Sequence, residues 1–115
     1  MKSQLKKFDV VLVDFGNDVV GSEQGGIRPA VIIQNDKGNF FSDTTIVLPI
    51  TSKIKKVHQP THTLLSKGCG LMVDSMVLGE CICQISERRI KKILGAIVDE
   101  KEKQSVNNAL LANFV

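Results

Sequence analysis

Apolar residues in this chain fall first in short β-branched runs and only near the end at helical spacing. Val10–Val13, bounded by Asp9 and Asp14, predicts a buried strand. A polar, glycine-rich stretch from Gly16 to Gly26 follows. It is too long for a tight hairpin turn, and ordered loops of that length often carry function. Ala30–Gln34 predicts a second strand entered through Pro29, Asn35–Ser42 a turn, and Thr44–Ile50 a third strand. The pattern then breaks at Thr51–His58, where Lys53, Lys55 and Lys56 predict an exposed basic loop. Thr61–Leu65, Met76–Ile85 and Ile90–Ile97 are further strand candidates, the middle one the longest, with a short helical turn around Ser86–Arg89. Asp99 with Glu102 three residues on has capping-box spacing, and Val106, Leu110 and Phe114 follow near helical period. These elements predict a mainly β (α+β) fold, a small curled antiparallel sheet closed by a C-terminal helix.

A length of 115 residues suits one domain spanning 1–115, large enough to bury roughly two thirds of its unfolded surface. The hydrophobic content of 43% is that of an ordered protein. No apolar run reaches the ~20 residues of a membrane span, and Met1–Lys7 has no signal-peptide core behind it, so a cytoplasmic protein without membrane contact is expected. Three cysteines, Cys69, Cys81 and Cys83, are an odd number for a disulfide framework. The net charge of +3 permits a polyanionic partner without requiring one. With Trp and Tyr absent and Phe scarce, aromatic base-stacking platforms are not expected as a main binding device.

One block narrows the reading. Gly21-Ser22-Glu23-Gln24-Gly25-Gly26-Ile27-Arg28-Pro29 resembles the G-S-E-Q-x-G-x-R-P signature of the MazF/PemK family of toxin–antitoxin ribonucleases. The resemblance continues through Ala30–Asp36 and Gly38-Asn39, then Pro49-Ile50-Thr51-Ser52 with its lysines, then Pro60-Thr61-His62. It implies an SH3-like β-barrel of the MazF/CcdB type with a C-terminal helix, working as a homodimer. It further implies cleavage of single-stranded messenger RNA at short sequence motifs, restraint by an acidic MazE-like antitoxin, and no cofactor or metal. The family's essential Arg falls on Arg28, its essential Thr or Ser on Thr51 and its implicated Glu on Glu23.

The chemistry suits those residue types. RNA carries its own nucleophile, the 2′-hydroxyl, so an enzyme need only remove a proton, neutralise the phosphorane and let the 5′-oxygen leave. A guanidinium matches phosphate oxygens bidentately, an electrostatic contribution worth about 3–4 kcal/mol per donor. With a pKa above about 12 it is a poor proton donor, so Arg28 is read chiefly as a clamp; a general-acid role is implied by the resemblance alone. Thr51 can donate to a non-bridging oxygen, and Glu23, with an intrinsic pKa of about 4.3, is the candidate base. Lys53, Lys55, Lys56 and the Gly25-Gly26 backbone would position phosphates, and Ser22 and Gln24 would read base edges. Ser52, Thr61, His62 and Glu80 complete the expected RNA-binding set.

Taken singly, each residue has a plainer reading. Arg28 alone would be a surface ion-pair residue, Thr51 a strand-end hydroxyl, Glu23 a loop cap and the lysines a solvated face. Their common register is what favours the site. Cys81-x-Cys83 with His58 and His62 does not have the spacing of a closed zinc site, and in period 2 the two thiols would share one strand face. Relatives carry Glu-Gln-Ile-Arg/Lys-x-Ile where this chain has Glu80-Cys81-Ile82-Cys83-Gln84-Ile85, a change that bears on sequence preference. Two other functions fit the same fold: a CcdB-type toxin that binds DNA gyrase without cleaving, and an inactive binding partner. The C-terminal Trp-Gly-Ile of CcdB is absent from the ending Ala112-Asn113-Phe114-Val115.

Overall fold

The structure is a computed structural model that describes residues 4–16 and 25–115. Among them, seven strands form one curled antiparallel sheet: β1 (Asp9–Asp14), β2 (Ile27–Ile32), β3 (Thr44–Thr51), β4 (His62–Leu65), β5 (Ser75–Leu78), β6 (Cys83–Ser86) and β7 (Ile90–Ala96). The order is β4-β5-β3-β2-β1-β7, with β6 paired to β3 beside that path. Two α-helices, α1 (Asp36–Phe41) and α2 (Glu100–Leu111), complete the fold, with the expected short helical turn at Glu87–Arg89. The mainly β class and the C-terminal helix expected from the sequence are as observed. The path of paired strands is open, since β4 and β7 end it rather than pair. No helix of the described residues is long and apolar enough to cross a membrane.

The unbroken β-branched runs are explained by burial on both faces of the central strands. Val10, Val31, Leu48 and Ile50 join Leu65, Val77, Ile97 and Val106 in one cluster. Their strand neighbours Val11, Val13, Ala30, Ile32 and Val47 turn the other way and pack with Leu5 and Ile85. Alternation therefore divides each strand between two cores rather than between core and water.

β3 is the hinge of the topology. It pairs with β6 from Thr44 to Val47, then with β5 at Ile50 and Thr51. Pro49, which has no N–H to give, lies between those two registers. Pro29 sits inside β2 rather than at its entry, because the strand already begins at Ile27. The β3 ladder reaches only to Ala30, so the missing N–H of Pro29 interrupts nothing on that side.

Three local expectations change. Asn35–Ser42 is not a simple turn but the capped helix α1: Asn35 accepts the Gly38 N–H at 2.8 Å, and buried Asn39 bonds to the Gln34 carbonyl and the Thr45 hydroxyl. Met76–Ile85 is not one strand, because the chain turns after Leu78, where the Cys81 N–H returns to the Leu78 carbonyl at 3.1 Å. This splits Cys81 from Cys83, which lies in β6 against the second core. Phe114 lies beyond α2 and is 69% exposed, while Val106 and Ala109 are the residues α2 buries. The Asp99 cap on the Glu102 N–H, 3.2 Å, is as expected.

Gly79 is where α2 sets the start of the β5–β6 turn. Its N–H donates to the Thr61 carbonyl at 2.7 Å, and its carbonyl accepts from the Asn113 side chain at 2.8 Å. A Cβ there would lie 2.5 Å from the Thr61 oxygen and 2.8 Å from the Ala109 oxygen, both backbone atoms. Gly79→Ala should therefore destabilise the fold by about 1–3 kcal/mol, read as a lower denaturation midpoint in urea. An unchanged midpoint would show that this contact can relax.

Candidate functional site

The sheet register brings the sequence-predicted residues together. Ala30 faces Pro49 as the last pair of the β2–β3 ladder, and Arg28 and Thr51 each lie two residues beyond that pair on their own strands. Thr51 in turn faces Met76 in β5, and Leu78, two residues along β5, faces His62 in β4. With period-2 alternation these five side chains point to one face. They line a cavity of about 340 Å³, with Met76 and Leu78 as its apolar floor. Lys53, Lys55 and Lys56 rim it from the loop after β3, and Glu80 and Cys81 close it from the turn after β5.

Each polar group has a definite orientation. The Arg28 Nε–H donates to the Gly25 carbonyl at 2.6 Å, which fixes the guanidinium, whose two terminal amino groups are the donors an anion would meet end-on. Thr51 is 8% exposed, and its hydroxyl oxygen accepts the Lys53 N–H at 3.1 Å. Its hydroxyl hydrogen then remains a donor. Glu80 accepts from the Thr61 hydroxyl at 3.0 Å on one oxygen and lies 2.9 Å from the His62 Nε2 on the other. On the far side of the ring, the His62 Nδ1 lies 3.1 Å from the Lys56 carbonyl and 3.3 Å from that of Lys55.

Not every expected residue reaches the cavity. Ser22, Glu23 and Gln24 lie outside the described residues. Gly26, in the left-handed region at φ 71°, donates its N–H to the Gly16 carbonyl at 2.8 Å, so that amide does not face a phosphate. Gly25 contributes a carbonyl, to Arg28. Ser52 is exposed and edges a neighbouring depression of about 330 Å³, lined by Ile27, Leu71, Met72 and Val73. That depression shares Arg28 and Thr51 with the first, so the pair stands on a ridge between them. Met76, Leu78 and Cys81 were not singled out as wall residues from the sequence. The Thr51–Met76 pairing would have found the first of these.

Residues 6–114 match the family described as "PemK-like, MazF-like toxin of type II toxin-antitoxin system". The chain belongs to that family. It is 47% identical over 107 residues to Endoribonuclease MazF of Staphylococcus saprophyticus, covering 92% of this chain and 88% of the relative. Among solved structures, MazF from Deinococcus radiodurans superposes with a TM-score of 0.77 at 23% identity, covering 95% of this chain and 94% of that one. A mycobacterial endoribonuclease in complex with its cognate antitoxin gives 0.76 at 18% identity, covering 94% and 92%. At those identities the structural likeness speaks for the fold.

Glu80 carries the main electrostatic signature of the site. Partial burial raises its carboxyl, but hydrogen bonds from His62, its own backbone N–H and Thr61, with the His62 charge, outweigh that and hold it below 4.5. A depressed folded-state value contributes stability that is present above the unfolded value and lost as pH falls through the folded one. Wild-type thermal stability should therefore decline below pH 4.5 more steeply than that of Glu80→Gln, which has no such proton to take up. Parallel acid profiles for the two proteins would remove Glu80 from this linkage.

Proposed function

We propose that this toxin is an endoribonuclease that cleaves single-stranded RNA through its own 2′-hydroxyl, without a metal, at the Arg28–Thr51 pair. The observation that supports this most is the meeting, in one cavity, of a fixed guanidinium, a donor hydroxyl and three lysines drawn from separate segments. The 47% identical relative named as an endoribonuclease supports the same reading. In it, a scissile phosphate sits on the ridge. The two terminal amino groups of Arg28 neutralise its non-bridging oxygens, and Thr51 donates one further hydrogen bond. Glu23 takes the 2′-proton as the 2′-oxygen bonds to phosphorus. The bond from phosphorus to the 5′-oxygen breaks, and that oxygen takes a proton from solvent water as it leaves, while the proton on Glu23 passes to solvent afterwards. The products are a 2′,3′-cyclic phosphate and a 5′-hydroxyl.

Flanking phosphates are held by the exposed Lys53, Lys55 and Lys56. The working unit in this reading is a cytoplasmic homodimer. An acidic antitoxin segment restrains it by occupying the same cationic cavity in place of RNA. The mycobacterial endoribonuclease that shares this fold is in complex with its cognate antitoxin, in keeping with such a partner.

The test is to incubate the protein with a long single-stranded RNA in EDTA and map the ends, beside Arg28→Ala. Discrete cuts with cyclic phosphate ends are expected, and the substitution should slow them about 10²–10³-fold without unfolding the protein. Well-folded wild-type protein that leaves several RNAs intact would overturn the reading.

A further inference from the structure

His62 and Glu80 were expected from the sequence to touch RNA, yet the structure gives them to each other. The His62 side chain is 7% exposed, against 37% for Glu80. Its Nε2 lies 2.9 Å from Glu80, and its Nδ1 lies within 3.3 Å of two loop carbonyls. Neither ring nitrogen remains for a base edge. All of these oxygens are acceptors, so whichever ring nitrogen carries a hydrogen has a partner to donate to.

The loop on which the ring acts has little else to hold it. Residues 52–58 are exposed throughout, and the apolar members Ile54 and Val57 are 41% and 46% exposed. Lys56 also sits in the left-handed region at φ 50°, where a residue with a Cβ stays only if its surroundings keep it there. The Lys56 carbonyl accepts from the Gln59 N–H at 3.0 Å as well as facing His62. Gln59 and Thr61 extend the chain of bonds: Gln59 donates to the Thr61 hydroxyl, which donates to Glu80, both at 3.0 Å.

A carboxylate in a cavity for a polyanion would repel phosphate if left bare. Here both Glu80 oxygens are engaged, one by Thr61 and one by His62. We propose that His62 and Glu80 are positioning residues: their hydrogen-bonded pair pins the Lys53–Lys56 loop at the cavity rim. From that fixed place the lysines meet RNA phosphates. The lysines' part in this rests on the ribonuclease reading; the pinning does not.

The two are separable by experiment. Limited trypsin digestion, without RNA, reads the order of the loop directly through cleavage after Lys53, Lys55 and Lys56. His62→Ala and Glu80→Ala should speed those cuts about tenfold or more, in step with the population of the opened loop. Glu80→Gln should stay near wild type, because its carboxamide can turn its oxygen to His62 and its NH₂ to the Thr61 hydroxyl. Should His62→Ala fail to fold, the Glu80→Ala and Glu80→Gln pair carries the comparison. With RNA, the alanine variants should raise KM while kcat holds, and flatten the dependence of log affinity on log salt by up to about 2 for three lost phosphate contacts. Glu80→Gln should restore both.

Glu80→Gln loops cut as fast as Glu80→Ala loops, or no change in either, would overturn the pinning. A fall in kcat at unchanged KM and salt slope would instead make the pair part of the chemistry. Wild-type protein that neither binds nor cuts RNA would sink the ribonuclease reading, and the digestion would still decide the pinning.

Discussion

The antiparallel register between β2 and β3 is the constraint on which the rest of the site depends. Ala30 opposite Pro49 ends that ladder, and Arg28 and Thr51, two residues beyond it on their strands, reach the same cavity although 23 positions of sequence separate them. Because a strand's side chains alternate, a slip by one residue would send one of the pair to the opposite face. Burial on both faces of these strands makes such a slip costly. It would drive Val47, Leu48 and Ile50 out of the cores they fill. The geometry of the candidate site is thus secured by the packing of the two cores beneath it.

The cavity gathers its charge from segments of different rigidity. Arg28 and Thr51 ride on strands at the centre of the sheet, whereas the lysines ride on an exposed loop. Rigid placement suits groups that must meet one phosphate, and a held but solvated loop suits those that follow a flexible chain. In the proposed arrangement His62 and Glu80 join the two regimes. The cost is a carboxylate within an anion site, and its hydrogen bonds offset that cost locally.

Much of this was legible in the sequence, for identifiable reasons. The β-branched runs gave the central strands because two-sided burial leaves an unambiguous apolar pattern. Arg28, Thr51 and the three lysines were found through blocks in common register, and the fold brings all five to one cavity. Other features were hidden. The break between β5 and β6 is masked by apolar residues on both sides of Gly79, which reads as strand until the contact with Ala109 is known. The α1 helix is too short to show a period and is held by Asn35 and Asn39, residue types that equally mark turns. The pairing of His62 with Glu80 joins residues 18 apart through β4 and β5, and only the sheet register reveals it.

The central claim is that Arg28 and Thr51 act on a single phosphate as one unit, and a double-mutant cycle in cleavage rate tests it most directly. Arg28→Lys keeps the charge without the planar fork, and Thr51→Val keeps the shape without the hydroxyl. If the two groups hold one phosphorane between them, the double variant should cleave about as slowly as the worse single variant. Losses that simply multiply would mean that the two groups act independently, and would contradict the account.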